Sequence, residues 1–378
     1  MRRLDGIPDF PFRLVAQDGR ARAGVLDTPR GPVYTPCFMP VGTKGTVKAM
    51  TPDRLRSVGA QVILANTYHL ALRPGSDVVR TLGGLHRFMG WDGPILTDSG
   101  GYQVFSLRDT VRLDDNGAEF LSIYDGARQV FTPERAMAEQ AYLGADLVMC
   151  LDQCPPASAT EDQLAEAVDR TGVWAERCKR AHQSRGGLGT DGHQMLLAIA
   201  QGGVIPRLRH VSVAKLLEIG FPGYALGGLS VGEDRRAMLD TVELTAEMLP
   251  SDRLRYFMGI GDPEGLVEVI ARGIDLFDCV LPTRTARMGT AFTRTGKLNL
   301  RNADHTLSAQ PIEPGCQCTA CANFSRGSIR HLVMQKEILG LALLTEHNLV
   351  HVMRLVTAAR EAILAGGFAA FRREHDRA

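Results

Sequence analysis

Eight short apolar runs recur along the chain, and each is closed by polar or glycine-rich residues. They are Cys37-Phe38-Met39-Pro40 before Val41-Gly42-Thr43, Val62 to Ala65 before Asn66-Thr67-Tyr68-His69, Ile95-Leu96 before Asp98, and Leu147 to Leu151 before Asp152-Gln153-Cys154. The series continues with Leu196 to Ala200 before Gln201-Gly202-Gly203, Tyr224-Ala225-Leu226 before Gly227-Gly228-Leu229, Tyr256-Phe257-Met258 before Gly259-Ile260-Gly261, and Leu276-Phe277 before Asp278. Helical patterns fit between most of them, over 161–183, 206–218, 235–248 and 263–272. Eight strand-like runs alternating with helices predict an α/β fold, a (β/α)8 TIM barrel. A doubly wound open sheet has the same alternation, and periodicity alone does not separate the two. The first run is the least regular of the eight, and residues 110–129 read as an extra hairpin rather than a barrel unit. In a barrel the polar closures fall at the C-terminal ends of the strands, where such enzymes keep their chemistry.

The chain has 378 residues, enough for one barrel with an insertion. Its first ten residues, MRRLDGIPDF, carry charge but no apolar core of a secretory signal. The longest aliphatic stretch, Ile338 to Leu344, is too short to span a bilayer. A cytoplasmic location without a membrane partner is the expectation. The formal net charge of +1 gives no global signal for nucleic acid. Locally, however, Cys279 to Ala303 holds Arg284, Arg287, Arg294, Lys297 and Arg301 and no acid. That stretch reads either as a solvated face or as a phosphate-binding strip.

Of eight cysteines, Cys37, Cys150, Cys154, Cys178 and Cys279 are scattered, the usual pattern of small buried hydrophobes. The other three form Cys316-x-Cys318-x2-Cys321. Three thiols within six residues can converge on one ion, and Zn2+ prefers four ligands of the Cys/His type. His331, His347 and His351 are available as the fourth. A Cys3His set is closed to water, so the metal reads as structural and the chemistry must sit elsewhere.

Three acids end strand-like runs: Asp98, Asp152 and Asp278. An aspartate after a strand also commonly caps a helix. Three on one barrel rim instead suit cleavage at an anomeric carbon, where one carboxylate attacks and another moves a proton. Gly202-Gly203 and Gly227-Gly228 bare their backbone N–H groups on the same rim. With Gln201, these donors suit the carbonyl edge of a planar heterocycle, and Tyr102 offers a stacking face.

The chain resembles bacterial tRNA-guanine transglycosylase, the base-exchange family of queuosine biosynthesis, from about Phe12 to Gly366. The resemblance rests on TDSGGYQ at 97–103, LDQC at 151–154, AQGG at 200–203, GGLSVGE at 227–233, MGIGDPEG at 258–265, FDCVLPTRTAR at 277–287, CQCTAC at 316–321 and TEHN at 345–348. It implies that Asp278 is the nucleophile on the ribose C1′ of the wobble guanosine and that Asp98 is the general acid/base. Asp152, Gln201, Gly228 and Leu229 resemble the set that reads the base, between Tyr102 and Met258 as stacking walls. Ser99, Gly100 and Gly101 would shape the pocket floor, and Asn66 resembles a group steadying the nucleophile. Gly259, Ile260, Gly261, Asp262, Pro263, Glu264 and Gly265, with Thr283, Arg284, Thr285, Ala286 and Arg287, resemble RNA-contacting segments. Cys316, Cys318, Cys321 and His347 match the ligands of one structural Zn2+.

The resemblance is to the bacterial type, which takes 7-aminomethyl-7-deazaguanine (preQ1). Val231 stands where the eukaryotic type has glycine, and Cys154 lies beside the base, so Val231 should exclude the larger queuine. The implied partners are tRNAs with a GUN anticodon (Asp, Asn, His and Tyr), preQ1 and released guanine, and the implied assembly is a homodimer. The implied division is a catalytic barrel over 1–289, a zinc-binding subdomain over 290–350 and a C-terminal helical segment over 351–378. Two other classes fit parts of the sequence. A non-catalytic RNA-binding subunit would not need both Asp98 and Asp278, and a zinc hydrolase would need an open metal position.

Overall fold

In a computed structural model describing residues 10–106 and 111–375, all eight runs are strands of one closed parallel barrel. The strands are Cys37–Gly42, Ile63–Ala65, Ile95–Thr97, Leu147–Met149, Met195–Ala200, Gly223–Leu226, Leu254–Met258 and Leu276–Cys279. Closure comes from the pairing of the last strand with the first, with Leu276 opposite Cys37 and Asp278 opposite Met39. This excludes the open sheet. The least regular run, Cys37–Gly42, is a full member of the barrel.

Alternation along each strand sorts the core into two layers. Met39, Leu64, Leu96, Leu147, Leu197, Tyr256 and Leu276 fill the barrel interior. Phe38, Ile63, Ile95, Val148, Leu196, Phe257 and Phe277 pack outward against the helices. The interior phase then carries on past the strand ends: Leu64 leads to Asn66, Leu96 to Asp98, Ile199 to Gln201, Tyr256 to Met258 and Leu276 to Asp278. A period of two therefore brings these residues to one mouth.

The helices have strong local starts. Glu161–Ser184 opens with a capping box between Thr160 and Gln163. Pro206–Ile219 and Pro263–Ala271 carry proline in the first turn, where no N–H is needed. The predicted hairpin is a three-stranded antiparallel sheet, Arg112–Asp114, Gly117–Leu121 and Arg128–Phe131; Thr110 lies outside the described residues. A second antiparallel sheet, Phe12–Asp18, Ala21–Thr28 and Gly31–Thr35, precedes the barrel and adds Leu26 and Val33, with Phe10, to its interior layer.

Beyond the barrel come a short hairpin, Thr290–Thr293 with Gly296–Asn299, and the helices Thr319–Asn323 and Arg326–Met334. The helix Ile338–Leu364 then runs without a break across residue 350, and Phe368–His375 follows. Among the described residues no helix is long and apolar enough to cross a membrane.

Candidate active site and metal centre

Asp98, Asp152 and Asp278 all line one cavity of about 310 Å3 at the C-terminal mouth of the barrel. Asn66, Ser99, Gly100, Tyr102, Cys154, Gly228, Leu229, Val231, Met258 and Gly259 line it with them. None of the three aspartates is a helix cap.

Asp98 is nearly buried. Its Oδ1 accepts hydrogen bonds from the Thr67 N–H at 2.9 Å and the Gly100 N–H at 3.1 Å. Its Oδ2 accepts from Asn66 Nδ2. Asn66 has no freedom in this, because its Oδ1 caps the helix Thr67–Leu72 through the His69 N–H at 2.9 Å. Asn66 thus holds Asp98, whereas the resemblance implies a group steadying the nucleophile. Burial pushes the Asp98 carboxyl up to about 7, with the charge of Asp278 adding to the rise and the hydrogen bonds opposing it.

Asp278 is held differently. Tyr256 donates its hydroxyl to Oδ1 at 2.6 Å, and the Gly259 N–H donates to the same oxygen at 3.1 Å. Oδ2 receives no hydrogen bond from the described residues, so it is the oxygen available to react. Burial raises this carboxyl also, while the two donors to Oδ1 pull it back. Tyr256 is the functional residue that sequence reasoning missed. Its signal was its phase: it stands two residues before Met258 and so points inward.

Asp152 is buried and fully engaged on the protein side, accepting from Ser99 Oγ at 2.8 Å and Gln201 Nε2 at 2.6 Å. Burial lifts it to about 6 against those bonds. Gln201 Oε1 is buried without a hydrogen-bond partner beside Gly228. A Cβ on Gly101 would stand 2.7 Å from the Asp152 carbonyl, so the chain there must be bare. Tyr102 is half-exposed at the mouth, free to lie on a flat ligand.

Of the proposed RNA-contacting segments, only Gly259 reaches the cavity. Ile260, Thr283 and Ala286 are buried, Asp262 caps the helix Pro263–Ala271 and pairs with Arg235 at 3.0 Å, and Gly265 supplies the capped N–H. Pro263 and Glu264 face a separate groove with Arg294 and Lys297. Arg284 is exposed, whereas Arg287 is half-buried and donates to the Thr283 carbonyl at 2.8 Å. Thr285 bonds back to the Leu281 carbonyl.

Away from this cavity, the ligand atoms of Cys316, Cys318, Cys321 and His347 lie within 4.8 Å of one another. The three sulfurs stand 3.9, 3.4 and 3.4 Å from His347 Nδ1. His347 Nε2 meets the Phe292 carbonyl at 2.8 Å, which leaves Nδ1 as the free donor atom in the neutral ring. Three thiols and an imidazole with its outer nitrogen secured fit a metal ion as a complete tetrahedral set. His347 sits inside the long helix Ile338–Leu364.

A parallel barrel with two carboxylates of unlike environment facing one cavity at its C-terminal mouth has the arrangement a glycosyl-transferring enzyme needs. A family model described as Queuine tRNA-ribosyltransferase matches residues 17–378. A queuine tRNA-ribosyltransferase of Halothermothrix orenii is 50% identical over 355 residues, covering 94% of this chain and 93% of that protein. The protein of the same description from Natranaerobius thermophilus is 49% identical over 363 residues, 96% of both chains. One from Cereibacter sphaeroides is 48% identical over 362 residues, 96% of this chain and 95% of its own. The chain belongs to the queuine tRNA-ribosyltransferase family, a family of pentosyltransferases.

Proposed function

We propose that this enzyme is a tRNA-guanine transglycosylase that replaces the wobble guanine of GUN-anticodon tRNAs with preQ1, in queuosine biosynthesis. The observation that carries the reading is the pairing of Asp98 and Asp278 across one cavity, with one oxygen of Asp278 held and the other free.

Asp278 Oδ2 attacks the ribose C1′. The C1′–N9 bond breaks, its electron pair leaves with the guanine, and a covalent aspartyl–ribose ester remains. Asp98 delivers a proton to the departing base, a task suited to a carboxyl lifted to about 7. In the return step preQ1 gives its N9 proton to Asp98, and N9 attacks C1′ from the vacated side. The ester opens and the β configuration is retained, as in retaining glycosidases. Asp152, Gln201 and the Gly228 N–H read the base edge, and Tyr102 and Met258 sandwich the ring. A loop nucleotide can be splayed into such a pocket at modest cost.

Val231, Cys154 and Tyr102 form the wall between the base cavity and a neighbouring one of about 530 Å3. That wall supports a preference for preQ1 over queuine. The metal is Zn2+, one per chain and structural. The enzyme works in the cytoplasm as a homodimer, and Arg284 with its neighbours meets the RNA backbone.

The test is exchange of labelled guanine in unmodified tRNA, chased by preQ1, with denaturing gels to detect the RNA adduct. Asp278→Asn is expected to lose both exchange and adduct. A denaturation-resistant adduct of normal yield in that variant would move the nucleophile elsewhere.

A further inference from the structure

Arg209 is fully buried in the first turn of the helix Pro206–Ile219, immediately behind the base-reading rim. A buried guanidinium normally pairs with a carboxylate. Here its hydrogen bonds among the described residues all go to main-chain carbonyls. Nε donates to Gly203 at 2.7 Å, one terminal nitrogen to Ala200 at 3.0 Å, and the other to Gly227 at 2.8 Å. Ala200 ends the fifth barrel strand, and Gly227 follows the sixth. Burial lowers this group only to about 10, so it is a cation at neutral pH.

The Gly227 contact has a geometric consequence. The peptide joining Gly227 to Gly228 is planar and trans, so its carbonyl and its N–H point in opposite directions. A carbonyl pulled back onto Arg209 turns the Gly228 N–H forward. That N–H is directed at the Cys154 thiol, and both residues line the base cavity. Gly228 adopts φ +65°, and a Cβ there would stand 2.2 Å from Gln201 Oε1, so the position requires glycine and leaves no side chain to shield the N–H.

We propose that Arg209 is the positioning residue that locks the Gly227–Gly228 peptide with its N–H toward the base, and that its buried charge polarises that N–H to favour a purine bearing an oxygen at C6. The inference rests on the proposed function in taking guanine as the ligand. When the C1′–N9 bond breaks, the electron pair taken by the purine spreads to O6. A donor aimed there and backed by a fixed cation stabilises the leaving base more than the bound one. The same lock serves the incoming base, which carries the same carbonyl.

The experiment compares direct binding of two free bases to the full-length holoenzyme: guanine, and 2-aminopurine, which lacks the C6 oxygen. In Arg209→Gln, the preference for guanine is expected to shrink by about tenfold or more, with 2-aminopurine binding little changed and kcat for exchange falling further than KM for tRNA rises. Arg209→Lys, which keeps a cation, is expected to restore part of the preference. Equal weakening of both bases, or an unchanged preference in a folded variant, would overturn the proposal. A crystal structure of the wild-type enzyme with guanine decides the matter without any variant: O6 belongs on the Gly228 N–H with the Gly227 carbonyl still on Arg209, and a carbonyl turned into the cavity would refute the lock. Guanine binding without exchange into tRNA would count against the proposed function while leaving this comparison intact.

Discussion

As the proposed nucleophile, Asp278 would react through Oδ2, because Tyr256 occupies Oδ1. Its hydroxyl, 2.6 Å from Oδ1, also opposes the rise that burial imposes on the carboxyl. Tyr256→Phe removes a hydrogen bond to the charged form, so the Asp278 pKa moves further up and less of the nucleophile is ionised at a given pH. The expected result is a kcat about tenfold lower, with the acid limb of the pH–rate profile displaced to higher pH. A lowered rate with an unmoved acid limb would mean that Tyr256 acts only through packing. At this scale much of the site was legible. Asp98, Gln201 and Asp278 each stand two residues beyond an inward-facing apolar residue, which a period of two reveals. The partner of Asn66 was not legible, because it depends on Asn66 capping its own helix and thereby aiming its amide at Asp98. Tyr256 was hidden for the opposite reason: an aromatic residue inside an apolar run reads as core until its hydroxyl is seen to have a carboxylate.

The helix Ile338–Leu364 binds the metal segment to the barrel through three consecutive residues. Glu346 accepts from the Thr319 N–H at 2.8 Å, next to Cys318. His347 completes the metal set. Asn348 accepts from the Phe292 N–H at 2.8 Å and donates to the Pro282 and Thr290 carbonyls, each at 3.0 Å, tying the hairpin to the helix Leu281–Arg287 that follows Asp278. A metal held here therefore secures the packing of the hairpin and the helix Leu281–Arg287 without lining the base cavity. Cys318→Ser is expected to lose the metal by elemental analysis and to lower the melting temperature by several degrees, since a complete site contributes folding energy. The fraction that stays folded should keep its exchange rate per active site, because no ligand atom lines the base cavity. A folded, metal-free variant of wild-type stability would remove the structural role. The three thiols were legible because they are local in sequence. The histidine was not, on the residues alone. His351 is one turn further along the same helix, about 6 Å away, and turns instead toward Glu313 at 3.8 Å. Only the docking of the helix separates the two.

A chain of net charge +1 cannot hold a polyanion by its overall field, so RNA affinity must come from a few placed cations. The acid-free stretch from Cys279 to Ala303 marked them only in part. Glu313, ten residues beyond it, folds back to stand 3.5 Å from Arg294 and offsets part of that exposed cation's charge. The barrel itself was plain in the sequence because its strands repeat, but the ion pair was not, since it joins a hairpin tip to a distant loop. Arg284 is exposed on the helix Leu281–Arg287, which follows the strand that carries Asp278. Binding of unmodified tRNA should weaken with salt by only a few phosphates' worth of released ions. Arg284→Ala should reduce the slope of log Kd against log salt by about 0.7, the increment for one phosphate of a single strand, and Arg294→Ala by less. Arg13→Ala serves as the control, because it sits on the N-terminal sheet in an exposed pair with Asp27 at 3.2 Å and should leave the slope alone. Equal slopes for Arg284→Ala and Arg13→Ala would detach the strip from the RNA and leave the recognition of tRNA to the base pocket.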